Sequence, residues 1–440
     1  MTDVARAKRP RIVVHVGSHK SGTTAVQQWI SANGAALERA QIAVPAALLN
    51  RGGNGADLAK ALSASALHAT AEDRDLLERF TTFVGGSRSK TIFFSAEAFE
   101  TSITEGGIAN VADRLRAIGL RKKAAVLIIR NQIDALNSEY SQRRKRLMTV
   151  RPGEDALDMV FARDRKDWFM QRKTLVDHGF DARLGVYRGR DPEMPIARQV
   201  MTLAGLADQI AADVSFDTDA ANESIGELGC VAAQHLTSLL DQRGAAVSDS
   251  DRRWVSNLLI RACNEFTDQP YNGFDEAVRV RIAAQFAASN QQVAPYLGGG
   301  DSEVQRLLQT RAVGRDKSPE TWTDLTPLQR ETVVAMLETV ADLLDAKRKG
   351  RKILLREDFL AAIPERSGKR LRPAGDERVK NTRQELMAKR SGKALAQRPK
   401  PPGKRRPGKK WVKDPLWQRL TFARIKASLW RRVKALVAKR

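Results

Sequence analysis

The sequence predicts an α/β protein: a central parallel sheet flanked by helices, followed by a helical C-terminal half and a basic tail. Three observations carry that prediction. Up to about residue 187, short and continuously apolar runs alternate with amphipathic stretches, the pattern of strands covered on both faces by helices. From about Ser224 onward the apolar spacing is helical only. The charge is also divided: Lys347 to Arg440 holds 32 Lys+Arg against 7 Asp+Glu, which leaves 43 against 44 in the preceding 346 residues. The net charge of +24 therefore belongs to the tail, and the body is not expected to be a nucleic-acid-binding domain.

Taken in order, RIVVHV (11–16) is β-branched and reads as a buried strand. GSHKSGTT (17–24) follows, and AVQQWISANGAAL (25–37) reads as a helix. EDRDLLERFTTFV and ANVADRLRAIG are amphipathic, and TIFFS (91–95) and AAVLIIR (124–130) are two further buried strands. A helix around Asp164–His178 precedes a fourth strand, ARLGVY (182–187). GELGCVAAQHLTSLL and VRVRIAAQFAASNQQVAPYL are the clearest later helices, and LTPLQRETVVAMLETVADLLDAK carries a Thr-Pro start signal. RPKPPGKRRPGKK (398–410) combines Pro, Gly and like charges and reads as an unfolded linker. In the last segment Phe422, Ile425, Leu429, Val433 and Leu436 return to helical spacing among Arg and Lys. The expected organisation is an N-terminal extension (1–10), a main domain (11–300), an additional helical segment (301–346), a basic, largely disordered linker (347–414) and a basic amphipathic helix (415–440).

A hydrophobic fraction of 42% excludes a wholly disordered chain, and no run is long enough to span a membrane. The first twenty residues lack an apolar signal core, so export is not expected. Cys230 and Cys263 show neither disulfide-framework nor metal-ligand spacing, which fits a reduced, cytoplasmic compartment.

The chemistry concentrates at GSHKSGTT. Placed between a strand and a helix, its glycines let the backbone turn tightly around an anion, and the helix start adds N–H donors and a positive dipole end. Thr23 and Thr24 add hydroxyls, and Lys20 adds a full charge at the loop tip. The nucleotide-triphosphatase form GxxxxGK[ST] is not met, because Thr23 occupies the lysine slot and the lysine stands three residues earlier. The second motif is AAVLIIRNQIDALNSEYSQ (124–142), a strand ending in Arg130 with Ser138 eight residues later on the next helix. An arginine fork and a directed hydroxyl are suited to a phosphate.

Together these segments resemble the sulfotransferases that use 3′-phosphoadenosine 5′-phosphosulfate (PAPS), in particular bacterial, glycan-type members. The lysine-containing loop is similar to their 5′-phosphosulfate loop, and the Arg130–Ser138 pair is similar to their 3′-phosphate site, with Asn131-Gln132 where the family commonly has Asp-Pro. Fainter likenesses are SAEAFE (95–100), LGVYRGRD (184–191), ANESIG (221–226) and FAASNQQVAPYLG (286–298). The resemblance spans about residues 11–300. It implies a P-loop NTPase-like sulfotransferase fold and a PAPS donor held without a metal by Gly17, Ser18, His19, Lys20, Ser21, Gly22, Thr23, Thr24, Arg130 and Ser138. It also implies catalysis by Lys20 and by a general base. Glu97, just past a strand that should neighbour the loop, is the first choice of base, with His15 and His19 as rivals. The acceptor class it implies is a carbohydrate or glycolipid.

RKG at Arg348–Gly350 lies inside a charge run and reads as chance. The Arg143–Arg146 cluster reads as a solvated helix face. For the tail, with Trp417 and Trp430, attachment to an anionic inner-membrane surface is favoured over polyanion binding or a solubilising role. Two other functions stay open at this point. A nucleotide-dependent kinase would want a lysine after Gly22, and a catalytically silent adaptor would use the tail alone.

Overall fold

The structure, a computed structural model, describes residues 9–17, 21–50, 52–148, 166–189, 191–217, 225–242, 248–298, 300–310 and 316–346. All belong to the first of two compact units, Met1–Lys369. The expected linker (347–414), the C-terminal amphipathic helix (415–440) and the RKG at 348–350 lie outside the described residues, as do residues 1–8 of the extension.

The described chain begins with β1 (Arg11–Gly17), α1 (Thr23–Ala32), α2 (Gly34–Arg39), β2 (Ile42–Ala43), α3 (Ala56–Ser63), α4 (Ala71–Gly86) and β3 (Thr91–Ala96). It continues with α5 (Ala98–Thr104), α6 (Ile108–Ala117), β4 (Lys123–Ile129), α7 (Gln132–Lys145), α8 (Trp168–Asp177), β5 (Phe180–Val186) and α9 (Ile196–Leu203). Five more helices follow: α10 (Glu227–Gln242), α11 (Asp249–Cys263), α12 (Glu276–Val293), α13 (Asp301–Leu308) and α14 (Pro327–Ala346). The five strands form one all-parallel sheet in the order β2-β3-β1-β4-β5.

Alternation along β1 sends side chains into two cores. Ile12, Val14 and Val16 join Ile92, Phe94, Leu127 and Ile129 beneath α3, α4, α5 and α6. Val13 joins Phe93, Val126 and Ile128 beneath α1 and α9, where Val26, Trp29, Ile30 and Val200 complete the layer. Covering on both faces is why these strands read as unbroken apolar runs.

A third core is all-helical. Leu236, Leu259, Val333, Met336 and Leu337 pack α10, α11 and α14 together with Tyr140 of α7. Beside it stands Arg144, fully buried and placed over the parallel rings of Tyr140 and Tyr271, whose centroids are 5.8 Å apart. Its guanidinium donates to Gln234 Oε1 (2.8 Å), Glu320 O (3.1 Å) and Tyr140 Oη (3.0 Å), so α7, α10 and the approach to α14 share one cation. The Arg143–Arg146 cluster therefore contains one structural residue that the solvated-face reading did not foresee. Cys230 and Cys263 sit in the same core, where burial pushes both thiols up to about 12.

Two departures from the sequence reading concern the first βα unit. The helix read over 25–37 starts earlier, at Thr23, and stops at Ala32 before restarting at Gly34. Asn33 ends it, its backbone N–H and its side-chain amide both donating to Trp29 O. The edge strand β2 was not anticipated, because two residues carry no periodicity to read. Among the described residues no helix is long and apolar enough to cross a membrane.

Candidate functional site

The site is built where β1, β3 and β4 end side by side. Pairing of Val16 with Ala96 and of Gly17 with Ile128 brings the ends of all three strands to one level. After β1 the chain turns toward β2 on one side, and after β4 it turns toward β5 on the other. A crevice opens at such a reversal, and in open α/β sheets that is where ligands bind.

The loop between β1 and α1 is shaped by its two glycines. A side chain on Gly17 would run into Thr23, which packs back against it. Gly22 is left-handed (φ 84°, ψ 13°), and a Cβ there would stand 3.0 Å from Ile196 Cγ1 and 3.1 Å from Tyr187 Cε2. Both the backbone conformation and the crowding therefore call for glycine. The Gly22 carbonyl accepts from Ala25 N (3.0 Å) and Val26 N (3.3 Å), which starts α1. Among the described residues no side chain caps this end, and no acidic residue stands in its first turn. The leading amides of a helix have no partner within it, and its N-terminal end carries partial positive charge. Ser21 is fully buried, Thr24 half-buried, and the buried Thr23 Oγ1 has no partner among the described residues. Ser18, His19 and Lys20 lie outside the described residues.

Arg130 follows β4 directly. Its backbone carbonyl accepts the Trp168 indole N–H at 3.0 Å. Its guanidinium lies over the ring of Tyr187, 5.5 Å from the centroid, and the same ring borders the space that a Cβ on Gly22 would enter. One aromatic ring thus lies beside both the loop glycine and the arginine. The Tyr187 backbone is held in turn, because its N–H donates to Ile129 O at 2.8 Å. Asn131 caps α7 by accepting from the amides of Ile133 and Asp134. Ser138 is half-buried on α7, one turn beyond Asp134 and on the same face. Asp134 Oδ2 is 3.9 Å from Arg130 Nη2, and Thr310 Oγ1 donates to Asp134 Oδ1 at 2.9 Å.

Glu97 lies just beyond β3, beside the end of β1, and is half-buried. It stands at the start of α5 in helical backbone conformation without a side-chain capping bond, so capping is not its role. His15 is fully buried on β1. Its Nδ1 is 2.9 Å from Ser95 Oγ, which also accepts from Gln27 Nε2 at 3.4 Å. Burial holds the imidazole down at about 4, partly offset by the negative charge of Glu97, so it is neutral at pH 7. His15 Nε2, like Thr23 Oγ1, is buried without a partner among the described residues. With no surface of its own, His15 underlies the site and does not line it.

A further group joins these pieces. Lys166 Nζ is 2.7 Å from Glu100 Oε1 and 3.8 Å from Glu139 Oε2, with Lys166 2% and Glu100 1% exposed. Glu100 is one turn along α5 from Glu97, and Glu139 adjoins Ser138. The Lys166 carbonyl accepts from Gln132 Nε2 (3.3 Å), and Gln132 and Asn290 exchange amide hydrogen bonds. Residues 166–168 thereby fasten to α5, to α7 and to the Arg130 backbone. Sequence reasoning missed Tyr187, Asp134, Lys166 and Trp168 as site residues. Contacts across 27 to 66 positions of chain leave no local signal, although Arg130 and Asp134 are spaced i, i+4.

Two cavities lie outside this crevice. One of about 990 Å³ borders the β2 edge between Ile30, Ile42, Leu49 and Phe83. The other, of about 350 Å³, lies between the start of α7 and helices α12 and α13, lined by Ile133, Ile282, Ala287 and Leu308.

Comparison with known proteins finds no matching family model, no matching curated protein and no matching solved structure. The chain is an α/β protein with a five-stranded parallel sheet, and its candidate site lies at the carboxyl ends of the three central strands. What that arrangement offers chemically is an uncapped helix start and an arginine, suited to an anion carrying charge at two places, with a carboxylate beside them.

Proposed function

We propose that the protein is a sulfotransferase that moves a sulfuryl group from PAPS to an acceptor hydroxyl or amine. The carrying observation is that the Tyr187 ring stands under the Arg130 guanidinium and beside the space at Gly22 where a Cβ would lie, so that the two sequence motifs meet at one ring. Two anion-binding elements on one ring suit a donor with phosphates at both ends of its ribose. The strand order and the position of the loop after β1 support a P-loop-like sulfotransferase fold. The unpartnered Thr23 hydroxyl and the uncapped helix start support the donor's 5′ end lying there.

In this reading the amides of Gly22, Thr23 and Thr24 hold the 5′-phosphate, with Gly17 and Ser21 shaping the loop. Arg130 and Ser138 hold the 3′-phosphate. Lys20 stabilises the charge that develops on the oxygen bridging sulfur and phosphorus. Glu97 takes the acceptor's proton as the acceptor atom bonds to sulfur. The sulfur–oxygen bond to the phosphate then breaks, and adenosine 3′,5′-bisphosphate leaves. Most of the rate enhancement comes from alignment and fixed positive charge, as in phosphoryl transfer. The roles of Lys20, Ser18 and His19 rest on sequence alone, and a carbohydrate or glycolipid acceptor rests on the resemblance.

The test is a thermal-shift titration of the full chain without magnesium, comparing adenosine 3′,5′-bisphosphate, adenosine 5′-phosphate and ATP. Saturation to about 100 times Kd adds roughly 2.7 kcal/mol of apparent stability. The expected result is stabilisation by the bisphosphate above the other two, abolished by Arg130→Ala. Equal stabilisation by the bisphosphate and the monophosphate would remove the 3′-phosphate site and the proposal with it.

A further inference from the structure

The proposed 3′-phosphate ligands have an acidic residue between them. Arg130 precedes α7, Ser138 lies two turns into it, and Asp134 occupies the intermediate position on the same helix face. Its carboxylate already faces the arginine, Oδ2 to Nη2 at 3.9 Å, with the two side chains only 10% and 16% exposed. Its other oxygen is held from outside the helix by Thr310 Oγ1 at 2.9 Å. The chain around Thr310 is fixed as well, because the Asn131 side chain donates to Leu307 O (2.9 Å) and Leu308 O (3.3 Å) at the end of α13. Asp134 is thus anchored independently of Arg130.

We infer that Asp134 competes with the ligand phosphate for Arg130, so that its carboxylate sets how tightly the protein holds a 3′-phosphorylated nucleotide. This rests on the donor-site reading above. Two effects act in the same direction. Arg130 gives up part of its interaction with Asp134 when it turns to a phosphate, and the bound phosphate then stands beside a fixed negative charge. Between side chains so little exposed neither effect is screened as it would be at the surface. The 3.9 Å separation matters here, because it is too long for a hydrogen bond that would lock the guanidinium in a binding orientation. Asp134 therefore acts on Arg130 by charge more than by alignment. The contact suits a transferase that must release its bisphosphate product: a site of unopposed arginine and helix dipole would hold that product longer.

The variant that isolates the charge is Asp134→Asn, since an asparagine oxygen still accepts from Thr310 while the negative charge is gone. Asp134→Ser serves the same purpose if the asparagine variant does not fold. Calorimetric titration of the full-length chain would compare adenosine 3′,5′-bisphosphate with adenosine 5′-phosphate. The expected result for Asp134→Asn is about tenfold tighter bisphosphate binding, roughly 1.4 kcal/mol, with the monophosphate unchanged and with Asp134→Glu within about threefold of wild type. Weaker bisphosphate binding in a folded Asp134→Asn would mean that the carboxylate orients Arg130, and competition would be overturned. Unchanged affinity would overturn it equally. The underlying reading is scored separately by the wild type. If neither wild type nor Asp134→Asn prefers the bisphosphate, both readings fall. A preference acquired only by the variant would uphold the competition and refute a functional donor site in the natural chain.

Discussion

Replacing Lys166 by methionine tests the buried ion pair that joins the two sides of the crevice. The methionine keeps most of the lysine stem and its packing while deleting the charge, so the effect falls on Glu100. That carboxylate is 1% exposed and its close partner is Lys166 Nζ at 2.7 Å. Glu139 cannot relieve it, being itself negative and 3.8 Å from the amine. Removing one member of a buried pair typically costs about 3–5 kcal/mol, because the other charge loses its close counter-charge. Replacing both members by apolar groups of similar volume is often neutral. The expectation is therefore asymmetric: Lys166→Met costs about 3–5 kcal/mol in urea denaturation, while Lys166→Met with Glu100→Leu recovers most of that loss. A single variant costing under about 1 kcal/mol would refute the reasoning, since it would mean that groups other than Lys166 hold the Glu100 charge. So would a double variant no more stable than the single one. In the double variant α5 and residues 166–168 remain packed without charge, so bisphosphate binding through Arg130 should survive.

Two further predictions concern the floor and the rim of the loop. His15 is held at about 4 in the folded chain against an ordinary value near 6.5. The unfolded chain thus binds the extra proton first, and stability is lost as pH falls from about 6.5 toward 4, by roughly 3 kcal/mol in all. His15→Gln should flatten that part of the stability–pH curve. An unaltered slope would show that the imidazole titrates in the native state. Gly22→Ala places a Cβ 3.0 Å from Ile196 and 3.1 Å from Tyr187 on left-handed backbone. It should destabilise by about 1–2 kcal/mol from the backbone alone, and by pushing on the Tyr187 ring it should also weaken bisphosphate binding, read in the same thermal-shift titration. Retention of both wild-type stability and affinity would remove the argument from crowding.

Most of the sheet was legible in the sequence because parallel strands covered on both faces leave unbroken apolar runs, as RIVVHV, TIFFS and AAVLIIR do. β2 was not legible, since Ile42 and Ala43 become a strand only by pairing with Thr91 and Ile92. The loop glycines were recognisable as a turn, but the neighbours that require them, Thr23 for Gly17 and Ile196 with Tyr187 for Gly22, belong to tertiary packing. Residues 301–346 read as an additional helical segment beyond the main domain. In the structure Leu307 packs into the core under the sheet, and Val333, Met336 and Leu337 pack against α10 and α11.

Local chemistry is what the sequence determined by itself: which runs become buried strands, where the chain turns tightly around a loop rich in donors, and that the positive charge is confined to the last quarter. Tertiary structure alone decided which groups meet. It set Tyr187 against both Gly22 and Arg130, buried His15 beneath Glu97, stood Asp134 beside Arg130 and paired Lys166 with Glu100. The reason is physical. Strand and turn preferences act over a few neighbouring residues, whereas these contacts arise from strand order and helix packing, which bring distant parts of the chain together only once the sheet is closed on both faces.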